Sequence, residues 1–308
     1  MDPNKFYYPK PGILGATLSA IANSRLLGSV RRAILSHLPF VRLESDVRDI
    51  VYLNWVVPSE LVRAHIPRGV QILEVGGATI LTTLTYSHGG FGPSIFGRLR
   101  RFFPSPLQSN WRLYVSEASS GVGAAKKVLF LKNIFNSIIY AVGTRVFSDA
   151  LPSHMAPDFK HHKQGNHYIT EIKAGQGSAP ELSCITEGAE AKELPSEFQR
   201  FFASWEEAIE YLCIQDSAIC GVPGINRIAQ AGIDLPIDTS LVVPLKAVDY
   251  TAGAYLESLG ADSIPFCFAV PRVKFKVLWE RLLPDLSSHH EEVKIDSVQT
   301  ANVQDVDE

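Results

Sequence analysis

The sequence predicts an α+β protein whose core is mostly strands, with a few inserted helices and an amphipathic helix near the N-terminus. Three observations predict it. Apolar runs rich in Val, Ile, Tyr and Trp, bounded by Gly and Pro turn signals, recur through the middle of the chain. Helical spacing is confined to a few segments, and strands do not alternate with helices as βαβ units do. The 308 residues, 46% of them hydrophobic, suffice to bury a sizeable core.

The elements follow in order. Residues 1–11 hold Pro3, Pro9 and Pro11 and form an irregular lead-in. Between Gly12 and Val41, the positions Leu26, Leu27, Val30, Ile34, Leu35 and Leu38 recur at helical spacing, with Arg25, Arg31 and Arg32 beside them. Such a helix docks its apolar face on the core, or lies on a membrane surface or a partner. Val47–Val56 is strand-like, and Pro58-Ser59-Glu60 opens a short helix with Ser59 as its N-cap candidate. Val70–Val75 and Ala78–Tyr86 are expected as strands joined at Gly76-Gly77. The stretch from Ser87 to Ser109 is expected as a long surface loop.

Trp111–Ser116 alternates as a strand does, and Lys126–Ile139 is a strongly apolar run. Strands are further expected at Tyr168–Lys173, Leu182–Thr186, Leu241–Tyr250 and Phe266–Leu278, and a helix over Glu197–Cys213. Residues 1–44 then form an N-terminal extension, 45–283 a single domain and 284–308 an acidic, disordered tail.

Composition excludes several functions. A net charge of −3 gives no basic field, which argues against nucleic acid as a partner. Four scattered cysteines form neither a disulfide framework nor a zinc-ligand pattern, which fits a reducing, cytoplasmic compartment. No run of roughly 18 apolar residues predicts a spanning helix. No GxGxxG follows a strand, and neither GxxxxGK[ST] nor GxSxG occurs, so no nucleotide-binding or α/β-hydrolase signature is present. His154, Asp158, His161, His162 and His167 are irregularly spaced in polar sequence and read as a solvated loop, with no metal site and no cofactor expected.

Val51-Tyr52-Leu53-Asn54-Trp55-Val56-Val57-Pro58-Ser59-Glu60-Leu61, followed by Ile66-Pro67-Arg68-Gly69-Val70, resembles the entry of the acetoacetate decarboxylase-like superfamily. Asn110-Trp111-Arg112-Leu113-Tyr114-Val115 is similar to the Asn-x-Arg-Thr-Tyr-Val strand of its YqjF-like branch, with weaker likeness at Val128–Asn133 and Phe198–Tyr211. The sequence departs from that pattern at Gln108, where the branch has Glu, and at Leu113, where it has Thr. The resemblance covers residues 45–280 and implies a mainly antiparallel, twisted β-barrel or cone with a cavity for a small molecule.

In the decarboxylases, a lysine lowered in pKa by an apolar site and a second lysine forms a Schiff base with a β-keto acid. The pair Lys126-Lys127 is adjacent here, but it precedes the matching region and lacks the aromatic-Pro step. Lys132, which interrupts the apolar run Val128–Ile134, is the better candidate amine; otherwise it snorkels at a strand end. Arg112 is the candidate anchor for a substrate carboxylate through a bidentate contact, with Asn110 and Tyr114 on the same strand face. The alternative for these three is a structural hydrogen-bond cluster. The expected activity is a decarboxylase-type lyase acting on a small keto acid. Non-catalytic ligand binding, a membrane-associated accessory role through the N-terminal helix, and a homo-oligomer stay open.

Overall fold

In a computed structural model of the chain, residues 4–116, 126–222 and 224–284 are described. Two helices, α1 (Ile13–Ala22) and α2 (Arg25–Leu35), lead into β1 (Leu43–Pro58) and the short α3 (Ser59–Val62). Strands β2 (Ala78–Ser87), β3 (Gly92–Pro93), β4 (Leu107–Tyr114) and β5 (Lys127–Phe135) follow, then α4 (Ile138–Phe147). Next come β6 (Ser153–Met155), β7 (Asp158–Gln164), β8 (His167–Lys173), β9 (Leu182–Gly188) and α5 (Trp205–Cys213). The remaining elements are β10 (Ser217–Gly221), β11 (Ile228–Asp234), β12 (Val243–Ala252), α6 (Ala254–Ser258) and β13 (Phe266–Leu282).

All strands join one 13-stranded, mostly antiparallel sheet, in the order β3-β1-β2-β4-β5-β10-β11-β13-β12-β9-β8-β7, with β6 on β5. β1 also pairs with β13 over Leu43–Asn54, so the pairing path returns on itself. Alternate residues of the long strands therefore face two separate cores. Val51, Leu53, Trp55 and Val57 of β1 join Trp111, Leu113 and side chains of β7–β9 in one cluster. Val47, Ile50 and Tyr52 join Trp205, Ile209 and Leu212 of α5 in the other. Burying each of these large side chains stabilises the fold by about 1.5–3 kcal/mol. The β4–β5 pair is thus packed on both faces, which explains its continuous apolar run.

Several expectations are corrected. Val70–Val75 does not form a strand; it contributes only single bridges, Ile72 to Val115 and Val75 to Ala78. Gly76 and Gly77 do turn there with φ of 57° and 75°, which glycine alone adopts freely. Pro58, not Ser59, caps α3. The Ser87–Ser109 stretch carries β3, a 3-10 helical segment over Ser94–Phe102 that is kinked at Gly97 (φ 47°), and the start of β4. The Lys126–Ile139 run ends as a strand at Phe135 and turns into α4. His154 lies in β6, and His161 and His162 in β7, rather than in a loop. The tail expected from residue 284 lies, from 285 on, outside the described residues.

The N-terminal helix is the largest departure. It is broken after Asn23, where the Ser24 hydroxyl accepts from the Leu27 amide to cap α2, and α1 and α2 are bent by 46°. α2 is held by its polar side: Arg31 and Arg32 both pair with Asp149. Its apolar face is turned outward.

Candidate functional site

β4 and β5 place all four candidate residues. Directly opposed residues of an antiparallel pair share a face, and neighbours along a strand alternate. Lys132 lies opposite Trp111, so it shares the face of the β7–β9 core. Asn110, Arg112 and Tyr114 share the other face, toward α5, as the period of two requires. A bulge between Trp111 and Arg112 leaves Leu131 as the extra residue on β5. The structure brings three of the four together and sets Lys132 apart from them.

Arg112 is 3% exposed. Its Nη2 donates to the Leu212 carbonyl at 2.7 Å, and the Tyr114 hydroxyl donates to the same oxygen at 3.2 Å. Leu212 is in the last turn of α5, where unsatisfied carbonyls carry partial negative charge and favour a cation. The guanidinium also lies 5.5 and 5.4 Å from the ring centroids of Tyr52 and Tyr114. Burial works against its charge, but Tyr114 and Tyr52 outweigh burial and hold its pKa above the ordinary value. Burial drives the Cys213 thiol beside it up to about 12. Arg112 thus clamps α5 to the sheet.

Asn110 belongs to a closed network on the same face. Its Nδ2 donates to the Tyr86 hydroxyl at 2.8 Å, and its Oδ1 accepts from Gln108 Nε2 at 2.7 Å. Gln108 Oε1 lies 2.7 Å from His88 Nε2, and Ser45 Oγ lies 2.8 Å from His88 Nδ1. Burial lowers the His88 pKa to about 4, so the ring is neutral near pH 7; its Nε2–H donates to Gln108 and Nδ1 accepts from Ser45. The amide at 108 donates to both Asn110 Oδ1 and Asn133 Oδ1, at 2.7 and 3.3 Å, and accepts at its oxygen. A glutamate could not donate to Asn110, so the departure at Gln108 fits this network.

The opposite face holds a different constellation. Lys132 Nζ is buried, 3.3 Å from His154 Nε2 and 5.5 Å from the centroid of Tyr255 on α6. Trp111 packs against Tyr255 at 6.0 Å between centroids. His154 Nδ1 lies 2.7 Å from Ser178 Oγ, which receives the Tyr7 amide at 2.9 Å. Burial, then Lys132 and Arg145, push the His154 pKa well below the usual imidazole range. The ring is neutral: Nδ1–H donates to Ser178, and the Nε2 lone pair faces the lysine.

His65 borders this group from outside, edge-on to Tyr255 at 5.4 Å. Burial and the nearby Lys132 charge lower its pKa. Ile66, the next residue, packs on the same core and lines a surface cleft of about 440 Å³. Ser59, Arg63, Arg68, Gln71 and Glu74 also line that cleft. A cleft of this volume admits a small molecule.

His154, His65 and Tyr255 were not legible as site residues. His154 sits in a three-residue strand with no alternation of its own, and Tyr255 in a five-residue helix. No group of three His, Cys, Asp or Glu residues able to hold a metal occurs among the described residues.

Neither a known family model nor a curated protein sequence matches the chain. Solved structures do. The enduracididine biosynthesis enzyme MppR complexed with pyruvate superimposes with a TM-score of 0.55 at 11% identity, covering 80% of this chain and 92% of that one. MppR has also been solved with the condensation product of pyruvate and imidazole 4-carboxaldehyde, again at a TM-score of 0.55. An acetoacetate decarboxylase matches with a TM-score of 0.51 at 12% identity, over 80% of this chain and 91% of that one. An acetoacetate decarboxylase-like enzyme from Sphingomonas wittichii RW1 matches at 0.52 and 7%, over 81% and 96%. At these identities the likeness speaks for architecture alone: the chain has the mixed α+β fold, built on a large twisted sheet, of the acetoacetate decarboxylase-like enzymes.

Proposed function

We propose that this chain binds a small keto acid and that Lys132 captures its carbonyl carbon as an imine. The observation that carries the reading is the Lys132–His154 contact: a buried amine 3.3 Å from the lone pair of a neutral imidazole, within an aromatic wall. The reaction consumes a neutral amine. Nitrogen attacks the carbonyl carbon, a C–N bond forms, and the carbonyl oxygen leaves as water. A β-carboxylate on the bound acid then departs as carbon dioxide, its bonding electrons passing into the iminium. Lys132 attacks as the free amine, and the His154 Nε2 lone pair, 3.3 Å away, orients its nitrogen. Pyruvate bound by MppR, a protein of the same fold, supports a keto acid as the first probe. The return of the pairing path at β1–β13 supports a barrel or cone enclosing the α5-facing core. The Val51–Val70 and Asn110–Val115 motifs support placement in the YqjF-like branch.

In this reading Arg112 does not share a ligand with Lys132. It faces away from Lys132, and Leu212 holds it. A carboxylate bound in the cleft beside His65 would meet Arg63 or Arg68.

A second reading has its own observation. The chain Lys132–His154–Ser178–Tyr7 ends on backbone of the lead-in, so the lysine can act by tying residues 4–11 to the sheet. Borohydride trapping with pyruvate and with acetoacetate, followed by peptide mass analysis, decides between them. Imine chemistry gives a reduced adduct on Lys132 that Lys132→Arg abolishes. An unlabelled Lys132 across a panel of keto acids leaves non-catalytic ligand binding.

A further inference from the structure

We propose that α2, the 36–42 connector and the Ser94–Phe102 helix form one surface that docks on an anionic lipid bilayer. The first observation is that α2 is inside out. Arg31 is 9% exposed and Arg32 is half-buried, both turned inward onto Asp149. Leu26 and Val30, on the opposite side of the helix, are 73% and 47% exposed, and Ile34 on the flank is 57% exposed. A helix serving only the core would present these faces the other way round. The ion pairs fix the orientation, so the exposed leucines cannot rotate inward without stripping Asp149 of both partners.

The second observation lies far away in sequence. The Ser94–Phe102 helix exposes Ile95 at 80% and Phe102 at 70%, with Arg98 and Arg101 exposed between them. The fold puts it beside the N-terminal segment. The Ser94 amide donates to the Arg42 carbonyl at 2.9 Å, just after the connector. Arg100 pairs with Glu44 at 2.9 Å. Tyr140 of α4 donates to the carbonyls of Phe91 and Pro104, which bracket the helix, while α4 packs against both α1 and α2. The exposed apolar side chains thus sit on adjoining elements and exceed what a monomer scatters singly.

Charge selects the occupant. Residues 4–42 contain six Lys or Arg and no Asp or Glu, and residues 94–106 contain three and none, in a chain of net charge −3. Arg31, Arg32 and Arg100 are taken up by Asp149 and Glu44, and Lys5, Lys10, Arg25, Arg42, Arg98 and Arg101 stay exposed. A second copy docking through the same face would set these arginines against one another. An anionic lipid surface takes both components: apolar side chains enter the acyl boundary and the cations meet headgroups. No single helix among the described residues is long and apolar enough to cross a bilayer; α1 and α2 reach that length and composition only as a pair, bent by 46°.

The full chain is sedimented with phosphatidylcholine vesicles with and without phosphatidylserine. It is expected to co-sediment only with the anionic vesicles, and less as salt rises. Arg98→Glu with Arg101→Glu should cut the bound fraction at least tenfold, roughly, given two reversed charges at the surface. Leu26→Glu with Ile34→Glu should abolish it. Both pairs should keep the wild-type melting temperature, because all four side chains are exposed. No sedimentation of the wild type, or equal sedimentation of the variants, overturns the proposal. A wild-type dimer in light scattering that Leu26→Glu with Ile34→Glu dissociates would also overturn it, assigning the face to a second copy.

Discussion

Arg112 and Lys132 stand on opposite faces of the β4–β5 pair, Arg112 against the Leu212 carbonyl and Lys132 against His154. The β4–β5 pair therefore serves two unrelated ends. One face locks a helix to the sheet, and the other holds a buried amine.

The clamp predicts a stability effect without a trapping effect. Arg112→Met leaves the last-turn carbonyl of α5 without its charged donor, while the Tyr114 hydroxyl keeps the Leu212 carbonyl and Thr82 as partners. Losing a hydrogen bond from a charged group at a buried site costs about 2–4 kcal/mol. Urea denaturation should show a loss of that size, with m unchanged. Borohydride labelling of Lys132 in the folded fraction should stay at the wild-type rate. A labelling defect equal to that of Lys132→Arg would place Arg112 in the ligand site after all.

The imine reading predicts a specific role for His154. His154→Phe keeps the ring volume in a fully buried position but removes the Nε2 lone pair facing Lys132. The initial rate of keto-acid trapping should fall by roughly 10²-fold, the scale of a misplaced nucleophile. His154→Gln, which can still present an acceptor, should recover part of it. A trapping rate untouched by His154→Phe would remove the imidazole from the mechanism.

How far the sequence carried this site follows from what one strand can encode. Alternation along β4 put Asn110, Arg112 and Tyr114 on one face, because that period is local. The side on which Lys132 falls depends on its register against β4, and the bulge that leaves Leu131 unpaired has no local signal. β1, β2, β12 and β13 were legible as β-branched and aromatic runs. β10 and β11 were not, since Ser217–Gly221 and Ile228–Asp234 are short and mix Ala and Gly with polar residues. The helical spacing in residues 26–38 was legible, but not its orientation. That is set by Asp149, 117 residues from Arg32.

Two buried histidines predict how stability depends on pH. His88 and His161 are both lowered from 6.5 to about 4, mainly by burial. His161 donates from Nε2 to the Asp49 carbonyl at 2.6 Å, at the left-handed residue (φ 53°) where β1 bulges. Each ring is neutral in the folded chain, while the unfolded chain protonates it below about 6.5. The unfolded state therefore binds more protons between the two values. The stability these rings contribute is complete above about pH 6.5, and it is lost as pH falls toward about 4. The loss should be on the order of 3 kcal/mol per ring. Melting temperature measured across pH 7 to 4 should drop steeply for the wild type. His161→Gln can still donate to Asp49, and it should lower stability at pH 7 but flatten that slope. An unchanged slope in this variant would show that other groups govern the acid transition.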